Sequence, residues 1–128
     1  MRVREEAVLA LTPNESHLGK DGYAVVYAAG PKAALVTANN QIPIGVITEG
    51  QDVSGKSAIA ICEGSVGSVH VQLDAASAAC KLGDYLTITA TGTFEPTVTG
   101  HTQCARALEA GNPGERIEAV LYRPITAP

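Results

Sequence analysis

The chain has 128 residues, 45% of them hydrophobic and 17% charged, with a formal net charge of −4. That length supports one buried core and is short for two independent ones; no apolar run reaches the roughly 18–20 residues of a membrane-spanning helix, and the acidic balance argues against a phosphate-binding surface. The apolar content lies in small residues, 20 Ala and 12 Val against one Phe and no Trp, and the 13 Gly, 7 Pro and 11 Thr suit short strands joined by turns.

Residues 1–17, "MRVREEAVLALTPNESH", read as an N-terminal arm. Glu5-Glu6 and an apolar patch of only "AVLAL" make a poor secretory signal, so a cytoplasmic origin is expected. A block of four strands follows. It contains the alternating run "YAVVYA" (23–28), a turn at Gly30-Pro31, "AALVT" (33–37), the polar "ANNQ", "IPIGVIT" (42–48) ending at Glu49, and "SAIAIC" (57–62). Glu63-Gly64 can turn the chain back, so "SVGSVHVQL" (65–73) is expected to form a hairpin with "SAIAIC". In "DAASAACKLG" (74–83), Asp74 suits an N-cap, the alanines favour helix, Lys81 suits a last turn and Gly83 a C′ position. This predicts one short helix over 74–82.

The four-strand order then returns: "YLTITA" (85–90), a turn at Gly92, "TFEPTV" (93–98), the polar "TGHTQ", "CARALE" (104–109) ending at Glu109, and "RIEAVLY" (116–122). Tyr23 and Tyr85 stand 62 residues apart and Glu49 and Glu109 stand 60 apart. The period is too long, and the copies too few, for a solenoid. The pattern predicts an all-β fold: a compact β-barrel or sandwich over 18–128, built from a duplicated four-strand unit at about 22–62 and 83–122.

No chemistry converges in the sequence. His17, His70 and His101 stand apart, with surface or loop roles expected, and His101–Cys104 lacks the second ligand pair a metal site needs. Cys62, Cys80 and Cys104 are odd in number and widely spaced; they read as small buried apolar residues and not as a disulfide framework. Glu49 and Glu109 could be imagined as an acid–base pair, but equivalent strand ends explain them. There is no nucleophile elbow, phosphate loop or dinucleotide fingerprint, and basic residues do not alternate with the four tyrosines. The expectation is a protein that is not an enzyme and needs no cofactor or metal.

The segments "DGYAVVYAAG…IPIGVITEGQDVSGKSAIAICEGSV" and "AASAACKLGDYLTITATGTF…CARALEAGNPGERIEAVLYRP" resemble the small capsid decoration, or cement, proteins of tailed phages and prophages. The resemblance covers about residues 18–123. It rests on a "G-V" strand followed by an alternating strand, an Ala-rich stretch before a "GD-Y" strand, and a closing "ALE…G…I-x-V-L" hairpin. It implies a β-rich plug made in the host cytoplasm, often trimeric, that binds the outside of a finished capsid and bridges its capsomers. Its partners would be the major capsid protein and further copies of itself, with no nucleic acid and no membrane.

The arm lies outside that resemblance. Arg2, Val3, Arg4, Glu5, Glu6, Val8, Leu9 and Leu11 are candidate capsid contacts, through a strand that pairs with a capsid edge; the same stretch could instead join the protein's own sheet. Because the repeat begins after the arm, the β core is expected to fold without residues 1–16. The alternative function is a carbohydrate- or receptor-binding β module on a phage fibre or cell surface, which the scarcity of aromatic residues disfavours.

Overall fold

The computed structural model describes residues 8–63 and 67–128. The first half holds β1 (Val8–Pro13), β2 (Ala24–Ala28), β3 (Lys32–Leu35), β4 (Gly45–Glu49) and β5 (Ser57–Ile61). The second holds β6 (Val69–Gln72), β7 (Tyr85–Ile88), β8 (Phe94–Pro96), β9 (Thr102–Ala107) and β10 (Arg116–Thr126). The fold is all-β, with no helix among the described residues. The first five strands close into a barrel in the order β1-β3-β2-β4-β5, and the rest form a curved sheet in the order β6-β10-β9-β7-β8.

The two halves share one topology. Both contain the path β3-β2-β4-β5 or its counterpart β8-β7-β9-β10. The flanking strand is also duplicated. β1 pairs antiparallel with β5, Leu9 opposite Ile59, as β6 pairs with β10, Val69 opposite Ala119. β1 also meets β3 in parallel at Pro13–Ala33, and the second half repeats this as a single parallel bridge, Leu73–Phe94. The repeated unit therefore has five strands, and β1, within the expected arm, is the counterpart of β6.

Register confirms the duplication residue by residue. Ile47 pairs with Ile59 and Ala107 with Ala119, an offset of 60. Val25 pairs with Gly45 and Leu86 with Ala105, so β2 is offset by 61. Loop hydrogen bonds follow the same spacing. Gly22 N donates to Ile47 O as Gly83 N donates to Ala107 O, and Val36 N to Ala24 O as Thr97 N to Tyr85 O. The one-residue insertion makes Tyr85 the counterpart of Ala24 and not of Tyr23, whereas Glu49 and Glu109 are true counterparts.

Strand alternation separates two cores. Leu11, Val25, Ala33, Ile47 and Ile59 fill the barrel. Ala24, Val46 and Ala60, of opposite parity on the same strands, join Leu86, Phe94, Ala107, Ala119 and Leu121 in a second cluster. The barrel's small-residue outer face thus seals the concave side of the sheet. Backbone bonds stitch the contact: Gln72 N to Gly22 O, Ala24 N to Gly92 O, and Thr102 N to Asn39 O. Gly22 sits at φ 90°, and a Cβ there would lie 2.7 Å from Gln72 N, so both conformation and proximity demand glycine.

Two sequence expectations are corrected. The helix over 74–82 is absent. Asp74 turns its carboxylate to Ala76 N at 3.0 Å and to Thr93 Oγ1 at 2.7 Å, and Ser77 folds back onto Asp74 O. Cys80 is drawn into a bridge with Gly111. So short a segment gains little from helix propagation, and these tertiary bonds offer its backbone better partners. The hairpin between "SAIAIC" and "SVHVQL" is also absent. β5 has both edges occupied, by β1 and β4, which leaves β6 to pair with β10.

Candidate functional site

Of the residues expected to contact a capsid, Arg2, Val3, Arg4, Glu5 and Glu6 lie outside the described residues. Val8, Leu9 and Leu11 stand in β1 as part of the barrel. Leu11 is buried inside it. Leu9 borders an apolar groove of about 300 Å³ whose walls include Tyr27, Ile42, Ile61, Cys62 and Pro124. Ile42 is 74% exposed and Tyr27 59%, which makes this rim one of the more apolar parts of the surface.

A second, more polar cleft of about 520 Å³ opens where the halves meet. Asp21, Ile47 and Thr48 line it from the barrel; Ser68, His70 and Arg116 line it from the sheet. Arg116 is held by bonds to Gln72 Oε1 at 3.2 Å and Gly19 O at 3.4 Å. No stretch of sequence announces this cleft, because its walls are brought together only by the docking of two distant segments.

His70, Glu109 and Glu118 are all exposed, and one ligand atom from each lies within 4.8 Å of the others. These are the described residues that could hold a cation. The carboxylates already have local work: Glu109 Oε2 accepts from Glu118 N at 2.7 Å, and Glu118 Oε2 from Ser68 Oγ at 2.9 Å. Glu49 likewise accepts from its neighbour Gln51, at 3.1 Å. Both strand-end glutamates therefore serve local structure.

Tyr85 and Tyr122 meet edge to face at 6.3 Å, and the Arg106 guanidinium covers Tyr85 at 5.0 Å. Burial pushes the Tyr122 phenol up to about 12. No motif in the sequence marks this cluster: Tyr85, Arg106 and Tyr122 lie in three separate strands, and only the β7-β9-β10 adjacency assembles them.

Of the three histidines, His70 is exposed and His101 is half-buried, 3.4 Å from Glu95. His17 departs from the expected surface role: it occupies a loop but is fully buried, and neither ring nitrogen has a partner among the described residues. Burial lowers its pKa, Glu15 opposes that effect in part, and Lys20 adds to it. A depressed histidine pKa leaves stability intact above the unfolded value of about 6.5 and removes it as pH falls toward the folded value. The urea midpoint of the native chain is expected to drop between pH 7 and pH 5 more steeply than that of a His17→Phe variant, whose apolar ring needs no partners. Parallel pH profiles for the two proteins would reject this role for His17.

No protein-family model matches the chain, and no curated protein matches it. Among solved structures, it is similar to the crystal structure of the head fibre gp8.5 N base of bacteriophage phi29, with a TM-score of 0.67 and 20% identity. The match covers 93% of this chain and 96% of that one, so the likeness is of the whole fold, both halves included.

Proposed function

We propose that this chain is a structural protein of a phage virion, which binds the outer surface of the assembled capsid and stabilises it by bridging capsomers. The observation that carries the reading is the end-to-end fold likeness to the N base of a phage head fibre. The net charge of −4 suits a protein that faces away from packaged DNA. The apolar groove beside β1 supplies a surface for a protein partner, and that partner is the major capsid protein. Self-association into a closed homo-oligomer, a trimer, multiplies weak contacts across neighbouring capsomers.

A plug of this kind works by mass action, binding the intact shell in preference to dispersed subunits and so raising the temperature at which the shell fails. Purified protein added to undecorated shells of the matching phage is expected to co-sediment with them and to delay heat-induced DNA release. Shells that neither bind it nor gain heat resistance would overturn the reading. Binding to host-cell glycans without binding to shells would transfer it to the receptor-module alternative.

A further inference from the structure

We propose that His70, Glu109 and Glu118 bind a divalent transition-metal ion of the zinc type at the rim of the polar cleft. Strand pairing builds the site. His70 in β6 stands directly opposite Glu118 in β10. Glu109 lies two residues beyond β9, and its Oε2 accepts from Glu118 N at 2.7 Å. One ligand atom from each residue falls within 4.8 Å of the other two, and all three residues are exposed. Donors around one zinc ion stand roughly 3–3.5 Å apart, so side-chain rotation closes the set without backbone movement.

The internal duplication provides a control. At the offset of 60, His70 and Glu118 correspond to Ala10 and Ala58, which stand opposite one another in β1 and β5. That alanine pair forms the same antiparallel ladder, so strand pairing does not call for an imidazole facing a carboxylate. Glu49 and Glu109 are common to both halves, whereas the second half alone adds a histidine and a second glutamate beside the shared one. The ligand set is therefore an addition to the repeat.

Charge and chemistry select the ligand. Ser68 Oγ donates to Glu118 Oε2 at 2.9 Å and Glu118 N to Glu109 Oε2, so the protein anchors one oxygen of each carboxylate and leaves the other for a metal. The ion pairs among the described residues, His101–Glu95 and Arg123–Glu63, involve neither glutamate. Arg116, on the same strand as Glu118, turns instead to Gln72 Oε1 and Gly19 O. Two adjacent carboxylates thus share one patch with a nitrogen donor. An imidazole ligand suits zinc, nickel or copper, whereas magnesium and calcium take oxygen ligands. His70 also lines the cleft of about 520 Å³, which gives water room to complete the coordination. A bound ion ties β6, only four residues long, to the turn between β9 and β10.

Isothermal titration of the untagged full chain with zinc chloride is expected to show binding. Zinc at a hundredfold excess over its Kd should raise the thermal midpoint by about 5–10 °C. Long-range nitrogen–proton NMR spectra should show the His70 ring shifting on zinc addition while the His101 ring stays in place. The double variant His70→Ala, Glu118→Ala copies the alanine pair of the barrel. It should fold with a metal-free midpoint near that of the native chain and bind zinc about tenfold or more weakly. Should it fail to fold, Glu109→Gln, which keeps an oxygen to accept from Glu118 N, should show the same weakening. His101→Ala should bind as the native chain does. Absence of zinc binding, undiminished binding by the folded ligand variants, a shift at His101 in place of His70, or equal affinity for magnesium would each overturn the proposal.

Discussion

Replacing Phe94 with alanine is expected to cost the fold about 3–5 kcal/mol, a large part of the roughly 5–15 kcal/mol that holds a domain of this size together. Phe94 is the sole phenylalanine and is fully buried. Its position explains why the second half needs so large a side chain. In the barrel, the counterpart Ala33 closes the β1–β3 seam beside a parallel ladder of two residue pairs. The sheet has one parallel bridge at that seam, Leu73–Phe94, and its concavity is filled by side chains packed against the barrel. Removing the ring opens a cavity where no ladder exists to hold the seam. Urea unfolding monitored by circular dichroism measures the effect; a loss below about 1 kcal/mol would mean that the ring is not central to the sheet's closure. Ala33→Phe should also destabilise, for the opposite reason, since the barrel interior has no room for it.

Truncation at two points is expected to give opposite results. Removal of residues 1–13 takes away β1 and with it the antiparallel pairing to β5 and the parallel pairing to β3. An open barrel then exposes two strand edges and loses Leu11 from its interior. Cooperative unfolding should disappear, and aggregation should follow. This corrects the expectation that the core folds without residues 1–16. Removal of residues 1–7 leaves every described strand whole and should preserve both the circular dichroism spectrum and the thermal midpoint. The pair also separates folding from docking. If the 1–7 deletion folds normally but binds shells more weakly, Arg2, Val3, Arg4, Glu5 and Glu6 contribute to docking. Unchanged shell binding by that deletion would remove them from the interface and leave the capsid reading intact. A 1–13 deletion that still unfolds cooperatively would show that β1 is dispensable to the barrel.

The extent of the fold that can be read from sequence follows from what each signal encodes. "SAIAI", "YLTI" and "RIEAV" announce strands because alternation is a local property of a half-buried strand. The doubled order of strands and turns is also local information, and Glu49 and Glu109 mark truly equivalent positions. The tyrosines mislead by one residue, because an insertion shifts β2 and β3 against their counterparts. Asp74, the alanines and Gly83 carry a genuine local preference for helix, overridden by Thr93 and Gly111 from elsewhere in the chain.

The amino-acid sequence by itself determined the all-β class, most of the strands and the existence of an internal duplication, since each depends on residue type at short spacing. Tertiary structure alone decided that β1 completes the barrel, that β6 joins β10, and that Ala24, Val46 and Ala60 face a second core. The reason is physical: every strand offers the same backbone donors and acceptors, so its own residues do not name its partner. Partner choice comes from closing a barrel and burying both faces of its wall at once, which is a property of the whole chain.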